Sequence, residues 1–350
     1  MKPFFAVILS LFVSFYGCKQ NSESEDNCYF PSFKESKLEA VKIQGNLLTP
    51  LELVLNGEII VVYDYSSDYF FHFFSNKDFQ PLTTFLRRGI EQDDETMVSP
   101  HFRFVGKDTL MFKKNNFINC VHFENKTGAL VFKVLSEIAL PEELISSEDF
   151  FLIKDTLFAS IAGRPSSIDF QGFCLKTGSI FSHGLLAPVV SGKYNEAQVE
   201  RVNNFNLNLK FTTVKPDKSR IATIYFSTPV LRAYSSKNWE LIAECQMIGV
   251  SSNQHYSNFI NYYSIRSTNE FIFALFSDTP PPPLIRDGDR WRHNDVANEI
   301  HVWDWDGNPI MKIKLDRLIY SFDVAPDNQK IIALSTLDAH HLFLAKVPWD

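Results

Sequence analysis

Two neighbouring stretches near the C-terminus decide the fold. They are Glu299-Ile-His-Val-Trp-Asp-Trp-Asp-Gly-Asn-Pro-Ile-Met-Lys-Ile-Lys-Leu315 and Ile319-Tyr-Ser-Phe-Asp-Val-Ala-Pro-Asp-Asn-Gln-Lys-Ile-Ile-Ala-Leu-Ser335. In each, short apolar-alternating runs are divided by a turn-forming tetrad, Asp306-Gly-Asn-Pro309 or Ala325-Pro-Asp-Asn328. Pro presets φ for a turn, Gly and Asn tolerate φ > 0, and Asp bonds its own backbone. The unit reads as two tight β-hairpins in series.

The rest of the chain repeats it. A polar turn feeds an apolar run at Asn56-Gly-Glu-Ile59, Lys107-Asp-Thr-Leu110, Lys154-Asp-Thr-Leu157, Pro216-Asp-Lys-Ser-Arg-Ile221, Thr268-Asn-Glu-Phe271 and Pro326-Asp-Asn-Gln-Lys-Ile331. A second turn follows five of the six, at Ser75–Asp78, Asn125–Gly128, Lys176–Gly178, Ser235–Asn238 and Asp306–Pro309. Spacings of 51, 47, 64, 50 and 60 residues between successive apolar-run starts, with four strands each, predict an all-β, six-bladed β-propeller of four-stranded antiparallel blades. The sixth repeat ends at His341–Val347 with no room for a fourth strand, while Leu38-Glu-Ala-Val-Lys-Ile43 alternates and has no partner in the first. The two are expected to pair, so that an N-terminal strand closes the ring and removes exposed sheet edges. An end-on β-sandwich leaves that complementarity unexplained.

Composition agrees. The 350 residues include 33 Phe and only 14 Gly, and aromatic residues suit the pleated, half-buried surface of a strand. Formal net charge is −7, and no basic stripe appears, so nucleic acid is excluded as a partner.

The N-terminus carries an address. Met1-Lys-Pro precedes an uncharged run, Phe4–Tyr16, too short to span a bilayer but suited to an export signal. Gly17-Cys18 resembles a bacterial lipobox, which implies cleavage before Cys18 and a lipid on its thiol. Lys19–Asn27 is polar and acidic, a tether that cannot fold alone. The expected organisation is a signal peptide over 1–17, a lipidated tether over 18–36 and the propeller over 37–350. An exported chain can form disulfides, and the pairing among Cys28, Cys120, Cys174 and Cys245 stays open. Cys120, Cys174 and Cys245 lie in apolar runs, where small buried residues are expected.

The lipobox-like start, the turn-anchored repeats, Val324-Ala-Pro-Asp-Asn-Gln-Lys-Ile-Ile-Ala333 and the Trp303–Pro309 hairpin resemble the TolB-like six-bladed propeller lipoproteins of Bacteroidetes. Arg87-Arg-Gly89 is similar to an Arg-Gly-Pro-Gly-Glu stretch of that family, with Ile90-Glu91-Gln92 replacing its Pro-Gly core. The resemblance implies a propeller tethered in the bacterial cell envelope, at the outer membrane and facing either side of it. It implies no reaction and no cofactor.

In a four-stranded meander the turns between strands one and two and between three and four share one rim, and here they are tight. Connections between strands two and three and between blades fall on the other rim. The long segments there are Arg87–Pro100, Ser136–Asp149, Ala162–Phe170, His183–Val202, Met247–Asn258 and Ser277–Asn298. Long loops on a rigid scaffold carry function, which makes this rim the expected binding face. Its candidate contact residues are Arg87, Arg88, Glu91, Asp93, Asp94, Arg164, Arg290, Trp291 and His293, because Trp and Arg dominate interface energetics.

No catalytic residues, metal ligands or cofactor are assigned. Asp304–Asn308 reads as a hairpin turn rather than a calcium loop, and the adjacent His340 and His341 face opposite sides of a strand. Two functional readings follow. One is a monomeric, lipid-tethered, non-catalytic binding or scaffolding module for a protein, peptide or glycan. The other is a propeller enzyme, a metal-assisted lactonase or a lyase, with acids near the axis. Innermost runs supply only Glu52 and Asp323 for it.

Overall fold

The computed structural model describes residues 27–45, 47–89, 97–126, 129–160, 168–186, 209–226, 229–247, 261–279, 285–287, 290–292 and 294–349. Six four-stranded antiparallel sheets form the blades. Blade 1 consists of Pro50–Asn56, Ile59–Asp64, Tyr69–Ser75 and Pro81–Arg87; blade 2 of Val98–Phe104, Thr109–Lys114, Phe117–Lys126 and Ala129–Ala139. Blade 3 runs through Phe150–Ile153, Thr156–Ser160, Ile168–Cys174 and Ile180–Leu186, and blade 4 through Lys210–Val214, Arg220–Tyr225, Val230–Ser235 and Leu241–Met247. Blade 5 contains Asn261–Ser267, Phe271–Ser277, Ala297–Asp304 and Pro309–Ile319. Blade 6 contains Ser321–Val324, Lys330–Leu334 and His341–Lys346, and its fourth strand is Glu39–Lys42.

All six turn-anchored positions of the sequence pattern (59, 110, 157, 221, 271 and 331) fall in second strands. These strands are covered on both faces by neighbouring blades, which is why they read as near-continuous apolar runs. The local turns show how the sequence sets the register. Gly57, at φ 59°, closes the two-residue link that pairs Asn56 with Ile59. In blade 5 the Asp304 carboxylate accepts the N–H groups of Asp306 and Asn308, both at 2.9 Å, and so forms the hairpin expected there.

Ring closure follows the expected pairing, with His341 opposite Lys42, Leu342 opposite Val41 and Phe343 opposite Ala40. The segment ahead of it departs from expectation. Residues 27–36, assigned to the tether, lie along the ring: Asn27–Cys28 pairs in parallel with the outer strand of blade 4, and Phe33–Ser36 with that of blade 5. One extended arm therefore passes three successive outer edges in a single direction. It is parallel to strand four where it lies outside one, and antiparallel to strand three where it replaces strand four. A Cys28–Cys245 disulfide joins the arm to blade 4, while Cys120 and Cys174 are free.

Six apolar clusters fill the six inter-blade interfaces. The interface between blades 1 and 2 absorbs Phe70, Phe71, Phe73, Phe102, Phe112 and Phe123, which accounts for much of the Phe excess. Full burial of each such ring stabilises the fold by about 1.5–3 kcal/mol.

The division of turn lengths is less uniform than the sequence suggests. Strands two and three are joined by residues 65–68 in blade 1, 115–116 in blade 2 and 226–229 in blade 4, and one residue, Tyr320, separates blades 5 and 6. Asn115 takes φ 51° and closes a two-residue link, and Asp64 folds the 65–68 turn by accepting the N–H groups of Ser66 and Ser67. The 136–149 segment is also no free loop. The strand continues to Ala139, Leu140 and Leu144 pack between blades 2 and 3, and Lys113 Nζ donates to the carbonyls of Ile145 and Ser147.

Candidate binding site on the propeller axis

The first strand of each blade lines the axis, and in all six blades it ends at the rim of the turns between strands one and two. At that rim the first strands and turns enclose a cavity of about 480 Å³. Its mouth is built from Asn56 and Gly57 of blade 1, Gly106 and Lys107 of blade 2, Pro216 and Lys218 of blade 4, Asn269 of blade 5 and Pro326 of blade 6. Deeper in the wall are Glu52, Arg103, Asp149, Arg266 and Asp323. Glu52, Arg103 and Arg266 sit three or four residues below the rim, about 10–13 Å at the rise of a strand.

Two arginine–carboxylate clasps tie this wall across the ring. Arg266 of blade 5 pairs with Glu52 of blade 1, and Glu52 also accepts the Ser321 hydroxyl of blade 6 at 2.6 Å. Arg103 of blade 2 pairs with Asp149, which precedes blade 3, and donates to the Thr212 carbonyl of blade 4 at 2.6 Å. Asp149 also accepts the Thr212 N–H at 3.1 Å. Each clasp thus spans three blades, which no backbone ladder does.

Asp323 lies beside the first clasp. It accepts the Leu55 N–H at 2.7 Å and the Val324 N–H at 2.8 Å. Burial pushes its carboxyl up to about 6, against the opposing effects of Arg266 and these two N–H groups. Arg266 Nε is buried without an acceptor. Among the described residues, no group of three or more His, Cys, Asp or Glu side chains is placed to hold a metal ion.

A second charged cluster joins blades 3 and 4. The Asp169 carboxylate, fully buried, accepts the hydroxyls of Tyr225 and Tyr234, and pairs with Arg232 Nη1 at 3.2 Å and Lys210 Nζ at 3.4 Å. Arg232 also pairs with Glu244 at 2.7 Å. A third polar group is enclosed in blade 5, where His301 lies between Tyr262 Oη and Glu299 Oε1, both at 2.7 Å. Phe30 of the arm covers it, and burial holds its imidazole down to about 4.

The residues singled out on the loop-bearing rim fare differently. Arg88 is engaged within its own blade: it donates to the carbonyls of Tyr65 and Ser67 and lies 4.2 Å from the Phe70 ring. Arg87 is exposed at the end of its strand. Arg290 and Trp291 belong to a small hairpin, Ile285–Asp287 with Arg290–Arg292. Cys18, Glu91, Asp93, Asp94, Arg164 and His293 lie outside the described residues. The axial set was only partly visible in sequence. Glu52 and Asp323 stand out as inner-strand acids, but Arg266, Arg103 and Asp149 carry no local signal.

A family model described as TolB-like 6-blade propeller-like matches residues 233–327, from the outer half of blade 4 into blade 6. The chain resembles the TolB-like propellers. No curated protein matches it in sequence. Similar solved structures include a member of the DUF4221 family from Bacteroides vulgatus, 11% identical over 88% of this chain and 97% of that one, TM-score 0.49. Others are the WD40 repeats of RRP9 (7%, 89% and 100%, 0.49) and the Neurospora crassa Pan2 WD40 domain (10%, 86% and 90%, 0.46).

Proposed function

We propose that this TolB-like propeller is a lipid-anchored, non-catalytic binding module of the bacterial envelope, and that its ligand enters the axial cavity from the tight-turn rim. The observation that carries this reading is the cavity itself. About 480 Å³ is within the range of small-molecule sites, and rigid first strands of six blades position its wall. Two of its acids, Glu52 and Asp149, are held by arginines and hydrogen-bond donors, an arrangement suited to a preorganised receptor. The loop-bearing rim, with Arg87, Arg290 and Trp291, is the surface left for a larger protein, peptide or glycan partner.

Asp323 favours a second reading, an enzyme. A carboxyl raised to about 6 beside a salt-bridged carboxylate is the kind of pair that general acid–base chemistry uses. Native mass spectrometry of protein isolated from its own envelope separates the two. The binding reading expects an intact small molecule on the wild type that is lost from Val54→Trp, which fills the wall, and from Asn56→Trp at the rim. Recovery of a chemically altered molecule after incubation, with Asp323→Asn blocking the change, would make it an enzyme. For the anchor, Cys18→Ala is expected to release the protein from the membrane fraction. Retention of that variant in membranes would contradict lipidation.

A further inference from the structure

The chemistry of the cavity also points to its ligand, on the assumption that the binding reading above holds. We infer that the axial cavity takes a compact polyanion whose carboxylate or phosphate oxyanions are held between Lys107 and Lys218 at the mouth.

The charge distribution is the first support. The chain carries a net charge of −7, yet the cavity is lined by five cations, Arg103, Lys107, Lys215, Lys218 and Arg266, against three acids, Glu52, Asp149 and Asp323. The sign inside is opposite to that of the whole. A cleft whose lining carries an excess of one sign concentrates the opposite charge at its mouth.

Side-chain commitments are the second support. Glu52 and Asp149 are neutralised within the arginine clasps, and Lys215 is paired with Asp217 at 3.2 Å. Lys107 and Lys218 are exposed, face the cavity from blades 2 and 4, and have no carboxylate partner among the described residues. The acids of the same turns are engaged elsewhere. Asp108 accepts the Thr109 hydroxyl and pairs with His122, Asp217 accepts the N–H and hydroxyl of Ser219, Glu270 accepts Asn328 Nδ2, and Asp327 accepts the Gln329 N–H. At this rim Lys107 and Lys218 line the cavity and these four acids do not.

Asn56 Nδ2 holds the 106–107 turn, and with it the position of Lys107, by donating to the Lys107 carbonyl at 2.7 Å. Arg266 Nε leaves the wall one acceptor short. A ligand with two oxyanion groups offers one to each lysine, whereas a neutral ligand leaves both charges without a counter-ion.

The test is calorimetric titration of the full chain at pH 7 and low ionic strength with citrate, pyrophosphate and the neutral trisaccharide maltotriose. Citrate or pyrophosphate is expected to bind, with affinity falling about tenfold or more in Lys107→Glu/Lys218→Glu and weakening as salt screens the pair. Binding of citrate alone assigns a carboxylate ligand, and binding of pyrophosphate alone a phosphate ligand. Equal anion affinity in the double variant would overturn the inference. Binding of maltotriose alone, abolished by Asn56→Trp, would overturn the anion assignment and leave the binding reading standing. If none of the three binds, and the envelope-derived protein carries no ligand that Asn56→Trp removes, both fall. Both lysines are exposed turn residues, so the double variant retains its fold, which its thermal transition checks.

Discussion

Two charged clusters in this propeller use the same residue types to different ends. Between blades 3 and 4, Asp169 is enclosed by Lys210, Arg232 and two tyrosine hydroxyls, with no exposed surface of its own. On the axis, Glu52–Arg266 and Arg103–Asp149 form comparable pairs, with Asp323 beside the first, but they line open space. A buried charge whose partners are all protein is part of the fold, since removing one member strands the others in a medium that cannot solvate them. A charged pair beside a cavity keeps access to water, and hence to a ligand. The number of charged groups does not separate structural from functional clusters; what encloses them does.

Truncating each carboxylate should show the contrast at its largest. Asp169→Ala is expected to lose about 3–5 kcal/mol of stability in chemical denaturation, because two buried cations lose their shared carboxylate. Glu52→Ala is expected to lose about 1–2 kcal/mol, because Arg266 is partly exposed and can be hydrated from the cavity. Equal losses would erase the distinction.

The pH dependence sharpens it. His301 belongs to the enclosed class, and its imidazole falls from 6.5 to about 4. Its contribution to stability is fully present above pH 6.5 and is lost as pH falls through about 4. Asp323 belongs to the cavity, and its carboxyl rises from 3.8 to about 6. Its contribution is fully present below pH 3.8 and is lost as pH rises through about 6. Each amounts to about 3 kcal/mol at the conversion of ~1.4 kcal/mol per pKa unit, with opposite sign. The wild type is therefore expected to change little from these two groups between pH 4 and 6.5. His301→Gln should expose a stability that falls with rising pH, and Asp323→Asn one that rises. Parallel curves for both variants would contradict the assignment. The smallest effect is expected at the mouth, where Lys107→Glu and Lys218→Glu should each alter stability by less than about 0.5 kcal/mol.

Much of the ring was legible in the sequence because its signals are local. The Lys-Asp-Thr-Leu repeats at 107 and 154 mark equivalent turns, and the leftover strand at 38–43 completes blade 6. The arm over blades 4 and 5 was not legible. Residues 28–36 fall within the stretch assigned to the tether, and parallel pairing to another strand's backbone requires no side-chain pattern. The axial site was obscure for a related reason. Arg266 and Glu52 meet across a sequence separation of 214, and only closing the ring brings them together. Loop length pointed to the opposite rim, since length shows where insertion is tolerated rather than where volume is enclosed.

The central claim is that ligand occupies the axial cavity at the tight-turn rim. Hydrogen–deuterium exchange of the full chain, with and without a saturating concentration of whichever anion binds, tests it most directly. Protection is predicted at 52–57, 103–107, 213–218 and 265–269, with 285–292 unchanged. Protection confined to 285–292 and the other loop-rim segments, with the first strands unaffected, would contradict it.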